Sequence, residues 1–121
     1  MERNEIITAM IVRPGEEPYI SWLSNDLSAL QGFVGGYIET VSLGQNIVMV
    51  CNEEGKLMGL PRSGFSWQGD PIVGNFFVCG CDWQTGELIG LCGKKRSEMD
   101  SEAVAKWLEV FAMYGLREEH A

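Results

Sequence analysis

The sequence predicts an α+β fold, with an antiparallel sheet of five to six strands packed against a C-terminal amphipathic helix and one short additional helix. Three observations carry this expectation. Apolar runs recur between glycine, proline and asparagine clusters, as in strands joined by turns. The run Ile47–Cys51 is apolar at every position, which suits a central strand covered on both faces. Finally, Val104, Trp107, Leu108 and Phe111 fall at the spacing of one helix face. At 121 residues the chain is expected to form a single domain over 1–121, long enough to bury a core without disulfide or metal staples.

Glu5 to Arg13 reads as a first strand, ended by Pro14-Gly15. Pro18 keeps the next segment irregular or extended as far as Trp22. Ser24-Asn25-Asp26 offers capping side chains to a short helix carrying Leu27, Leu30 and Gln31, with a stop expected at Gly32. Tyr37–Leu43 and Ile47–Cys51 form a hairpin through Gly44-Gln45-Asn46. Asn52-Glu53-Glu54-Gly55 turns the chain, and Lys56–Leu60 is expected to run back antiparallel. Pro61–Pro71 reads as the longest loop. Ile72–Cys81 reads as one apolar strand, kinked or bulged near Gly74 and Gly80. Asp82–Glu87 turns into Leu88–Cys92, and the C-terminal helix is capped by Ser97 or Asp100 and ended near Gly115. A cover for the second sheet face is expected from the short helix, the long loop or a second subunit in a homo-oligomer.

Net charge is −8, and the acid excess appears in both halves. Such a surface repels phosphate backbones, so direct nucleic-acid binding is not expected. Solubility alone accounts for such a charge and is the favoured reading; the sharper alternative is mimicry of nucleic acid, or a basic protein partner. No run approaches the length of a membrane span, and the polar, acidic start Met1-Glu2-Arg3-Asn4-Glu5 is unlike a secretory signal. A cytoplasmic location in a bacterial host cell is the expectation. Cys51, Cys79, Cys81 and Cys92 sit in or beside apolar runs, as reduced core residues do. Cys79 and Cys81 share one strand face, but Cys-x-Cys within a strand is a weak metal signal.

Catalysis finds little support in the residue types. The one histidine, His120, lies next to the last residue, where no general base is held in place. Gly35-Gly36 is not followed by a helix and makes no dinucleotide fingerprint. Adjacent Glu53 and Glu54 in a turn point in different directions, unlike the paired carboxylates of a hydrolase. Asp82 reads as a turn starter. No enzyme and no cofactor is expected. Binding has two candidate sites. Lys94-Lys95-Arg96-Ser97 is the one basic cluster, set before a helix where backbone N–H groups favour anions, although a solvated linker has the same composition. The long loop brings Arg62 beside Phe65 and Trp67, a guanidinium near aromatic faces as base stacking and phosphate pairing require; equally, the aromatics could fold back as a lid.

Several motifs together resemble a family of small domains of unknown function encoded by bacteriophages, plasmids and conjugative elements. They are Val12-Arg13-Pro14-Gly15, Leu30-Gln31 with Val34-Gly35-Gly36-Tyr37-Ile38-Glu39, Cys51-Asn52-Glu53-Glu54-Gly55-Lys56-Leu57, Gly59-Leu60-Pro61 and Ile72-Val73-Gly74-Asn75-Phe76-Phe77-Val78. The resemblance covers most of residues 5–92. Where relatives continue Leu-Asn-Arg after the proline, this chain has Arg62-Ser63-Gly64, so no role transfers to that arginine. The resemblance implies a mobile-element accessory protein, of a kind that acts in counter-defence by binding something. One expectation is a nucleotide-like small molecule held by Arg62, Trp67 and Tyr37, with Lys94 and Arg96 on its phosphate. The other is an acidic inhibitor or nucleic-acid mimic that occludes a basic host protein through Glu53 and Glu54.

Overall fold

Side chains of a strand point alternately to its two faces, and in β4 (Ile47–Asn52) both sets are apolar and largely buried as far as Cys51, with a buried Asn52 at the end. The same holds for β7 (Phe76–Cys81) and, apart from the exposed Ile6 and the buried Thr8, for β1 (Ile6–Val12). These three strands form the middle of a sheet that needs a cover on each side. The computed structural model, which describes residues 6–91 and 99–119, shows how the chain supplies both.

The remaining elements are β2 (Tyr19–Ser24), α1 (Leu27–Val34), β3 (Ile38–Gly44), β5 (Arg62–Trp67), β6 (Asp70–Val73), β8 (Leu88–Ile89), α2 (Ser101–Met113) and β9 (Leu116–Glu118). The main sheet has six strands in the order β2-β1-β7-β4-β3, with β8 against β7, and its pairings are antiparallel. A second sheet has the order β6-β5-β9. On one face of the main sheet, Met10, Val12, Met49, Phe76 and Val78 pack with Phe111 of α2 and with Phe65, Ile72 and Leu116 of the small sheet. On the other face, Ile7, Ala9, Ile11, Val48, Val50, Phe77 and Cys79 pack with Leu30 and Val34 of α1. The α+β architecture and the C-terminal helix match the expectation. Of the three covers the sequence leaves open, the short helix lies on the second face.

Local chemistry sets the ends of the helices. The Asp26 carboxylate accepts the Ala29 N–H at 2.8 Å and caps α1. That helix runs past Gly32 and stops at Gly35, whose φ of 84° is costly for residues with a Cβ. Asp100 caps α2 by accepting the Ala103 N–H at 2.9 Å. The alternative cap, Ser97, lies outside the described residues. Among these residues no helix is long and apolar enough to cross a membrane.

Several expectations are corrected. Pro61–Pro71 is not a loop. It holds β5 and the start of β6, joined through Gln68-Gly69, whose positive φ values of 50° and 85° suit a tight hairpin turn. Phe65 and Ser63 are buried along it while Arg62 and Gly64 are exposed, an alternation hidden by the glycine content. Lys56–Leu60 is not a strand. Its amides close successive turns, with Met58 N–H on Glu54 O and Leu60 N–H on Gly55 O. Ile72–Cys81 is two strands in different sheets, separated at Gly74 with φ 76°. An added Cβ there would lie 2.7 Å from Leu60 Cδ1, so glycine allows both the turn and the packing. Of the irregular or extended conformations expected after Pro18, the extended one is found: Tyr19–Ser24 is a regular strand that pairs with β1 at the sheet edge and runs two residues past Trp22. Residues 116–118 form a strand on β5 that the sequence reading omits.

Phe111 is fully buried where α2 meets the sheet, whereas Leu57 is 87% exposed. Phe111→Ala is expected to lower unfolding free energy by about 4 kcal/mol in urea titrations, and Leu57→Ala to change it by less than about 0.5 kcal/mol.

Candidate functional site

The hairpin β5–β6 covers only part of its sheet face. A cleft of about 280 Å³ remains between β6, the outer end of β3 and β4, and the turn that follows β4. Val41, Met49 and Cys51 form the sheet side of the cleft, and Trp67 and Ile72 the hairpin side. Polar groups ring it: Glu39 on β3, Glu53, Glu54 and Lys56 on the turn, and Asp70 on β6. Lys56 already pairs with Asp70, so the balance of charge around the opening is strongly negative. The indole Nε1 of Trp67 is buried and has no hydrogen-bond partner among the described residues. An unsatisfied buried donor is uncommon and costly, and this one belongs to a residue that lines the cleft.

Asn52 positions the turn. It is buried at the end of β4, where its amide donates to Val34 O at 3.1 Å and its carbonyl accepts the Glu54 N–H at 2.7 Å. One side chain thus joins the end of α1 to the carboxylate-bearing turn. Gly36 leaves room for it, since an added Cβ would lie 2.9 Å from Asn52 Nδ2. The double glycine therefore has a structural use: Gly35 ends the helix and Gly36 admits the asparagine.

A family model described as "Domain of unknown function (DUF3846)" matches residues 7–107. The chain belongs to this family. No curated protein and no solved structure gives a significant match. The matched span of this DUF3846 domain includes every residue of the cleft and all of the main sheet but Ile6, the first residue of β1, and it ends within α2.

The expected ligand contacts are placed apart. Trp67 lines the cleft, but Arg62 lies at the opposite end of β5 and pairs with Glu119 at 3.7 Å. Glu119 belongs to a second, more open hollow that is also lined by Glu16, Glu17 and Glu118. Tyr37 is exposed just before β3, and its carbonyl accepts the Glu53 N–H at 2.8 Å. Lys94 and Arg96 lie outside the described residues. Glu53 and Glu54 share the cleft with Trp67, a meeting the sequence reading missed because it took the hairpin for a loop. Glu39 and Asp70 were missed for the same reason. Of the other tryptophans, Trp83 is largely exposed in the turn between β7 and β8, and Asp82 starts that turn by accepting the Gln84 N–H.

Cys79 and Cys81 point to the α1 side of β7, away from the cleft. Among the described residues no group of three or more His, Cys, Asp or Glu is arranged to hold a metal ion. Burial, with Cys81 close by, pushes the Cys79 thiol up to about 12. Burial, followed by the Glu39 carboxylate, pushes the Cys51 thiol up to about 11.

Two expectations follow. Asn52→Ala should cost about 2 kcal/mol in chemical denaturation, from two lost hydrogen bonds, and should speed hydrogen exchange at Glu54. Unfolded thiols ionise from about pH 9 while the folded ones stay protonated, so the folded state holds more protons there and stability falls as pH rises toward 11 or 12. Urea midpoints measured at about pH 8 and about pH 10.5 should show a smaller drop for Cys79→Ala than for the parent.

Proposed function

We propose that this DUF3846 domain is a non-catalytic binding protein whose acidic cleft docks on a basic protein partner. The single observation that carries this reading is the composition of the cleft: four carboxylates around an apolar floor, with its one ammonium already paired. The second hollow repeats the pattern with four glutamates. A phosphate in either place would meet charges of its own sign, so the nucleotide-like ligand is the weaker reading. Separation of Arg62 from Trp67 weakens it further. A lysine or arginine side chain meets complementary charge at the rim and an aliphatic and aromatic floor beneath its methylene stem. The setting implied by the sequence resemblance, a mobile-element accessory protein in counter-defence, suits such a partner. A basic nucleic-acid-binding host protein is the class proposed, occluded by carboxylates that stand where phosphates would.

Binding to a panel of basic nucleic-acid-binding proteins should weaken steeply as salt rises from about 50 to about 300 mM. The double variant Glu53→Gln/Glu54→Gln should bind roughly three- to tenfold more weakly, while Arg62→Ala should leave affinity unchanged. A melting-temperature rise with one nucleotide class that Arg62→Ala abolishes would overturn this assignment and restore the small-molecule reading.

A further inference from the structure

The outer edge of β3 borders the acidic cleft, and no other strand among the described residues pairs with it. Its hydrogen-bonding register can be read from two bonds. Glu53 N–H donates to Tyr37 O in register with Ile38↔Asn52. Bonded and non-bonded pairs alternate in an antiparallel ladder. Glu39 and Val41 therefore direct their backbone groups at β4, and Ile38, Thr40 and Ser42 direct theirs outward. The bond from Cys81 N–H to Asn46 O sets the β4–β7 ladder, and it assigns Val48 and Val50 to β7, which leaves Met49 and Cys51 for β3. The two ladders agree.

Exposed edges are ordinarily guarded by lysine, proline, inward-pointing charge or a bulge. This one, Ile38-Glu39-Thr40-Val41-Ser42-Leu43-Gly44, has no lysine or proline, and its one irregularity lies at its far end, between Ser42 and Gly44, which leaves Ile38–Ser42 in regular register. Its single charge is Glu39, whose side chain lines the cleft. We infer that β3 receives an extended basic segment of the protein partner as an added strand, with alternate Lys or Arg side chains directed into the cleft. The inference rests on the acidic-cleft reading and specifies its mode. Backbone groups of Ile38, Thr40 and Ser42 supply the ladder, and Glu39, Glu53 and Glu54 select the side chains. Because strand side chains alternate, residues of the added strand on the Glu39 and Val41 face all project toward the cleft. A second copy of this chain pairing through β3 is a poor occupant, since that strand has no lysine or arginine to place in the acidic cleft.

The test uses an acetylated peptide of alternating lysine and threonine, titrated into the full chain at low salt. Binding should slow hydrogen exchange at Ile38, Thr40 and Ser42 but not at Glu39 or Val41. Peptide N-methylated on the backbone edge that faces β3 should bind roughly tenfold or more weakly, with the protein itself unaltered. Thr40→Pro, tolerated where the N–H faces solvent, should do the same while melting as the parent does. Salt-sensitive binding with no protection of the three amides, and no loss on N-methylation, would overturn the strand mode and leave the acidic-cleft reading standing. Protection that persists in Glu39→Gln/Glu54→Gln with undiminished affinity would overturn the charge reading and keep the strand. No peptide binding at low salt would overturn both.

Discussion

The burial of both faces of β1, β4 and β7 is the constraint from which the rest of the molecule follows. Successive residues such as Met49 and Val50, or Phe76 and Phe77, enter separate apolar clusters on opposite sides of one sheet. Neither cluster closes without a cover. The short helix α1 closes one side. The other is closed by α2 together with the small sheet β6-β5-β9, in which Phe65 stands edge-on to Phe76. Since the hairpin spans less than the sheet it covers, Val41 and Cys51 stay partly buried at its margin. The cleft is that margin.

Asn52 links this packing to the candidate site. It leaves the central strand with its side chain on the α1 side, ties to Val34 there, and orients a turn whose carboxylates face the opposite side. The cleft is therefore held by rigid elements on each wall: a sheet strand, a hairpin and a turn anchored by a buried amide. Such preorganisation lets a rim of carboxylates present charge without first ordering a loop.

Much of the fold was legible because it is written in local periodicity. The all-apolar Ile47–Cys51 announced a central strand, and Val104, Trp107, Leu108 and Phe111 announced the helix that covers it. Tertiary pairing overrode the local signals elsewhere. Gly64 and Gly69 made a hairpin look like a loop, because glycine at positive φ serves a twisted β turn as readily as a disordered one. Gly74 divides one apolar run between two sheets, and the contacts it makes there, with Leu60 packed against it and its N–H on Pro61 O, lie outside any local window. The candidate site was legible only in part. Glu53, Glu54 and Trp67 were each singled out, but their convergence depends on the hairpin folding over the sheet, as does the addition of Glu39 and Asp70. Arg62 and Trp67 are close in sequence, yet an extended strand carries the two to opposite ends.

In the proposed role the domain binds through negative charge above an apolar floor, with its edge strand alongside. The most direct test is an amide and indole NMR titration with a lysine-rich peptide at low and high salt. Salt-sensitive shifts concentrated at Glu39, Glu53, Glu54 and the Trp67 indole N–H are expected. Shifts confined to Arg62 and the glutamates near it, with the Trp67 signal unmoved, would contradict the proposed role.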